Sequence, residues 1–141
     1  MIAAFIVISI LVATAVLIHF EALNQLTILI PKLAIKHRFR VLAGVFGALL
    51  AHVIEIWLFA LGYYFMVHQA GFGSLEGHFN KSLMDCVYFS FVNYTSLGFG
   101  DIFPRGDIRF LAGIEALTGL VLITWTASFM FIEMQKLWKD K

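Results

Sequence analysis

The chain has 141 residues, of which 61% are hydrophobic and 13% charged, with a formal net charge of +1 and a mean hydropathy of +0.90. A soluble domain of this length cannot bury that much apolar surface, so the composition is that of an integral membrane protein. No basic or acidic block invites nucleic acid as a partner, and the single cysteine, Cys86, excludes an intrachain disulfide.

Residues Ile2 to Ile18 form an apolar run long enough to cross a hydrocarbon core of roughly 30 Å. A cleaved signal peptide would carry a positive leading region, and Met1-Ile2-Ala3-Ala4 has none, so the run reads as a retained membrane helix. The pattern continues through His19, Glu21, Asn24 and Gln25 to Ile30, where Pro31 stops it. Lys32, Lys36, His37, Arg38 and Arg40 make the connector basic.

A second helix is predicted from about Val41 to Val67. Small residues at fourth-residue spacing, Ala43/Gly47/Ala51 and Gly44/Ala48, let another backbone approach closely. Trp57, Tyr63 and Tyr64 lie toward its far end, and the two tyrosines fit an interfacial belt. Gly71-Phe72-Gly73-Ser74 begins an exposed loop to about Lys81. Ser82 then reads as an N-cap, with Asp85 as the acid of a capping box, opening a short helix over 82–94. At 1.5 Å per residue, Leu83 to Tyr94 reaches about 18 Å, too short to span. Cys86 on it is a small buried hydrophobe. The last helix is predicted from Ile108 to Ile132, followed by a polar tail, Glu133 to Lys141, containing Lys136, Lys139 and Lys141.

Charge bias constrains the topology. Lysine and arginine favour the cytoplasmic side. If Leu83–Phe103 crossed fully, the basic connector and the basic tail would face opposite sides. If it dips in and returns, both are cytoplasmic and the 68–81 loop is outside. The re-entrant path leaves non-helical backbone at membrane depth, which is tolerated only where it is buried in protein or lines water.

That non-helical stretch is Thr95-Ser96-Leu97-Gly98-Phe99-Gly100-Asp101. A dehydrated cation needs oxygen atoms in place of its water shell. A backbone turns successive carbonyls to one side only if alternate residues adopt unusual dihedrals, which glycine does at least cost, and Gly98 and Gly100 have that spacing. The preceding short helix aims its partially negative C-terminal end at the same place.

The stretch resembles the selectivity-filter signature of the potassium channel family, T-V-G-Y-G-D. Here Ser96 stands for threonine, Leu97 for valine and Phe99 for tyrosine. Serine keeps a hydroxyl but loses the stiffening β-branch, and phenylalanine cannot donate the tyrosine's hydrogen bond. The resemblance covers Val41 to Ile132 and implies an all-α membrane protein with three transmembrane helices, a re-entrant pore helix and a tetrameric pore. Residues 1–40 would be an added helix with its connector. Residues 41–141 would be the pore domain: outer helix 41–67, pore helix 82–94, filter 95–101, inner helix 108–132 and a short cytoplasmic tail.

By the same resemblance, Thr95, Ser96, Leu97, Gly98, Phe99 and Gly100 form the ion-binding filter, with K+ at the Ser96, Leu97, Gly98 and Phe99 carbonyls. Asp101 is the acid of the outer mouth, and Tyr88 and Phe89 fall in the aromatic cuff. Gly119 lies within one residue of the gating hinge, with Gly113 as a second candidate; helix packing is the plainer role for both. One strand cannot surround an ion, so four copies, a homotetramer in the lipid bilayer, are implied. The expected location is the plasma membrane, with the N-terminus outside.

Ionisable residues inside spans are costly and mark functional sites. In an antiparallel hairpin of the first two helices, His19 lies level with His52, and Glu55 shares the His52 face. The cluster His19/His52/Glu55 reads either as a proton or metal site or, more plainly, as a hydrogen-bonded clasp. Glu115, two turns into the last helix, calls for partners behind the filter, with Asn93 and Ser90 in reach. The functional reading is a passive potassium-selective channel with no cofactor and no catalysis, K+ being the permeant ligand. Its alternatives are a weakly selective monovalent cation channel, a non-conducting structural or modulatory subunit, and a metalloenzyme using His19, Glu21, His52 and Glu55. The last lacks an established ligand spacing.

Overall fold

The structure, a computed structural model, describes residues 1–139. Its elements in order are α1 (Ile2–Leu29), a short 3-10 turn (Ile30–Lys32), α2 (His37–His68), β1 (Gly73–Gly77), α3 (Leu83–Tyr94), β2 (Ile102–Gly106) and α4 (Ile108–Lys139). Three helices, α1, α2 and α4, are long and apolar enough to cross a membrane.

Helix α1 buries Ala4, Ile8, Ala15, His19 and Leu23 along one stripe, half-buries Val7, Leu11, Val12 and Leu26 beside it, and leaves most of its other apolar side chains exposed. That is the pattern of a helix with one face on protein and the rest on lipid. The stripe lies on the small-residue ridges of α2. A Cβ added at Gly47 would collide with the Leu26 side chain, and one at Gly62 with Leu11; at Gly44 it would lie 3.1 Å from both Ile30 and Met130. The glycines therefore admit α1 and α4 into close contact with α2. Pro31 ends α1 as predicted, in the 3-10 turn.

Two helix limits differ from expectation. Helix α2 begins at His37, not Val41, and α4 runs to Lys139, not Ile132. Hydropathy marks where a helix leaves the hydrocarbon; it does not unwind the polar turns beyond. Arg40 helps secure the first of these ends by donating from Nε to the Leu33 carbonyl at 3.1 Å. In the second, Lys136 bonds Glu133 at 2.5 Å across one turn. Lys141 of the predicted tail lies outside the described residues.

The predicted 68–81 loop is also partly strand. β1 pairs antiparallel with β2, in a register from Gly73 opposite Gly106 to Gly77 opposite Ile102. A Cβ on Gly73 or Gly77 would strike the carbonyl of Arg105 or Asp101, so these two positions require glycine for the strands to meet. The ribbon joins the segment entering the α3 hairpin to the segment leaving it. The chain thus returns to the side from which α3 departed.

Candidate functional site

Helix α3 starts as its sequence indicates. Ser82 Oγ accepts from the Asp85 amide at 3.0 Å, while the Asp85 carboxylate turns away to accept from the Asn80 amide at 2.8 Å and leaves the capping box one-sided. At the other end, the helix runs directly into the stretch 95–100. Positive φ occurs at Ser96 (57°), Gly98 (60°) and Gly100 (79°) and not at Leu97 or Phe99. The amides of Ser96, Leu97 and Gly98 all donate backwards, to the carbonyls of Asn93 (2.8 Å), Val92 (2.9 Å) and Val92 again (3.3 Å). Because N–H and C=O of one planar trans peptide point in opposite directions, the carbonyls of Thr95, Ser96 and Leu97 face away from α3. Thr95 itself donates its hydroxyl to the Phe91 carbonyl at 2.7 Å.

All six residues from Thr95 to Gly100 are exposed in the single chain, Leu97 at 59% and Phe99 at 64%. Asp101, just beyond, accepts from the Tyr88 hydroxyl at 2.8 Å. This bond holds the Tyr88 phenol above its ordinary pKa. Phe89 points the other way, into the core, edge-on to Tyr63 with ring centroids 4.9 Å apart. The two residues predicted to form one cuff therefore serve two sides of α3.

Behind this stretch lies Glu115, fully buried on α4. Ser90 Oγ is 2.5 Å from its Oε1 and 2.8 Å from the Ile56 carbonyl, and the Tyr63 hydroxyl donates to its Oε2. Of the two expected partners the structure brings Ser90 to Glu115 but not Asn93, whose Nδ2 has no hydrogen-bond partner among the described residues. Tyr63 corrects the interfacial-belt assignment. It is fully buried and bound to the carboxylate, because a phenol beside a buried acid gains more as its donor than as a headgroup anchor. Tyr64 remains partly exposed, its ring 4.2 Å from that of His68.

The polar cluster forms between α1 and α2, and it extends further than predicted. His19 Nδ1 lies 2.9 Å from Glu55 Oε1, and His52 Nδ1 lies 3.1 Å from Glu55 Oε2. Tyr94, the last residue of α3, donates its hydroxyl to Glu55 Oε2, and Thr126 of α4 sits 3.0 Å from His52 Nε2. Glu21 stays outside, exposed and bonded to Gln25. The two glycines of α4 differ sharply: a Cβ on Gly119 would overlap the Tyr94 carbonyl, whereas one on Gly113 meets nothing within 4 Å.

Tyr63, Tyr94 and Thr126 were the partners missed in the sequence. A signal existed for two of them. Tyr63 and His52 on α2 are eleven positions apart, as are Glu115 and Thr126 on α4, in opposite order. The depth rule that matched His19 with His52 would have matched these antiparallel helices as well.

A family model described as an ion channel matches residues 41–136, from the first turns of α2 to the end of α4. The chain belongs to this ion channel family. The channel carries α1 as an addition outside the matched span. Neither the curated proteins nor the solved structures hold a significant match to it.

Proposed function

We propose that the channel conducts K+ selectively and passively, four copies surrounding a common axis on which the Thr95–Gly100 carbonyls replace the ion's hydration shell. The observation that carries this reading is the alternation of left-handed dihedrals at Ser96, Gly98 and Gly100, with three successive amides held by α3. Such a strand offers carbonyls on one side, as potassium channel filters do. Its exposure supports the assembly: irregular backbone at membrane depth needs protein around it, and one chain supplies only the α3 side. K+ occupies the Ser96, Leu97, Gly98 and Phe99 carbonyls, with Asp101 at the outer mouth, and Tyr88, Phe89 and Glu115 support the filter. Asn93, whose Nδ2 lacks a partner among the described residues, completes that support, and Gly119 or Gly113 supplies any bend of α4. The filter mouth and the N-terminus face outward from the plasma membrane, and the 32–40 connector and the C-terminus face the cytoplasm. Transport is conduction, without catalysis or cofactor.

The purified protein in liposomes, under opposing K+ and Na+ gradients, tests this. Reversal at the K+ equilibrium potential is expected. A current reversing near zero would replace the reading by a weakly selective monovalent cation channel.

A further inference from the structure

The geometry points to a divalent transition-metal site at the junction of α1 and the pore unit, in which His19 Nδ1, His52 Nδ1 and a Glu55 oxygen ligate Zn2+ and the Tyr94 hydroxyl supplies the fourth donor. His19 and Glu55 are fully buried, and the donor atoms of His19, His52 and Glu55 lie within 4.8 Å of one another. The separations that matter are short: 2.9 Å from His19 Nδ1 to Oε1, 3.1 Å from His52 Nδ1 to Oε2, and 2.9 Å from His52 Nδ1 to the Tyr94 oxygen. Zinc bonds of 2.0–2.1 Å in a tetrahedron place ligand atoms about 3.3 Å apart. The contacts are near that spacing, and convergence of the two Nδ1 atoms on one Glu55 oxygen would complete the coordination sphere.

Thr126 adds a second contact to both histidines. Its Oγ1 lies 3.0 Å from His52 Nε2 and 3.4 Å from His19 Nε2. If two neutral imidazoles both donate from Nδ1 to Glu55, two Nε2 lone pairs face a hydroxyl that has one proton to give. One nitrogen is then left without a donor, which either a proton on one imidazole or a metal on both Nδ1 atoms relieves, and the Zn2+ titration below separates the two. With a metal on both Nδ1 atoms, each Nε2 carries hydrogen, and the two lone pairs of Thr126 accept both. Its own hydroxyl proton is then free for a backbone carbonyl one turn back, the bond that Thr118 makes to Ile114 and Thr124 to Leu120 on the same helix. Metal-ligating histidines characteristically have their second nitrogen held in this way. The rings are further fixed by Trp125, 5.2 Å from His19, and Tyr94, 5.8 Å from His52, centroid to centroid. Two imidazoles with two oxygens suit Zn2+ or its neighbours among the transition metals, not Mg2+ or Ca2+, which prefer all-oxygen shells. The side chain of His52 keeps 12% exposure, which gives an entering ion a point of first contact.

This site does not depend on potassium selectivity, and metal content reads it directly. Purified protein would be titrated calorimetrically with Zn2+ alone, and its metal content measured after desalting. One Zn2+ per chain is expected, with no uptake of Mg2+. His19→Ala and His52→Ala should each weaken binding at least a hundredfold. If the alanine variants fail to fold, the double variant His19→Gln/His52→Gln retains hydrogen bonds toward Glu55 but not the ligands. It should keep its elution volume and helicity while losing Zn2+. Co2+ in place of Zn2+ should give the intense visible bands of a tetrahedral site in the wild type only. Undiminished Zn2+ binding by the double glutamine variant, or no uptake by the wild type, would overturn the assignment.

Discussion

Gly119 and Gly113 illustrate how much a single position can decide. Both lie on α4 and both are candidates for a bend, yet only Gly119 faces backbone, at the Tyr94 carbonyl. Gly119→Ala should cost about 1–3 kcal/mol as the helices shift to make room, whereas Gly113→Ala should be neutral or stabilise the helix by up to about 1 kcal/mol. Thermal unfolding of both variants checks the contrast, and equal losses would contradict it. Glu115 can be tested in the same assay. Glu115→Leu leaves the buried Tyr63 hydroxyl without an acceptor and should lower stability by about 1–3 kcal/mol. At Tyr88 the expectation concerns pH. Its raised phenol pKa means that the bond to Asp101 contributes fully below the ordinary phenol range and is lost as pH rises through the shifted value. Wild type and Tyr88→Phe should therefore differ in stability at neutral pH and converge in strong alkali. A difference that persists there would count against the bond. The Tyr88–Asp101 pairing was not legible in the sequence, since it depends on how the strand folds back over α3.

Among the elements, the four helices were legible because each is a sustained apolar or capped run. The β1–β2 ribbon was not. Its strands are five residues each, contain glycine and proline, and show no hydrophobic alternation, so only their pairing across the pore hairpin reveals them. The strand 95–100 falls between these cases. Glycine spacing foretold positive φ at Gly98 and Gly100, but Ser96 at 57° was invisible, since serine carries no such signal. Gly98 has open space around its missing Cβ within the chain, so in Gly98→Ala the cost inside one chain is dihedral strain. It should cost roughly 1–2 kcal/mol per chain and reduce K+ flux. Unchanged flux in liposomes would show that the left-handed dihedral at that position is dispensable.

At the scale of the whole molecule, one chain is an incomplete object. Its apolar exterior is suited to lipid, but the exposed 95–100 strand is irregular backbone that lipid cannot satisfy. Native mass spectrometry of the detergent-solubilised protein should find four chains together, and a stable monomer would remove the basis of the proposed pore. The antiparallel arrangement of the three spans was legible from charge and length. The place of α1 was not, because its apolar sequence has little amphipathic signal and its contacts depend on the glycine ridges of α2.

The backward-donating amides of Ser96, Leu97 and Gly98 have a consequence for how the 95–100 strand can rearrange. They occupy the carbonyls of Val92 and Asn93, which a helix otherwise leaves open at its end. Rotating the peptide that carries the Leu97 amide would withdraw it from Val92 and swing the Ser96 oxygen toward α3 in one movement. Such a flip and the loosening of the last turn of α3 are thus coupled, with the Gly98 bond to Val92 a contact that remains to hold that turn.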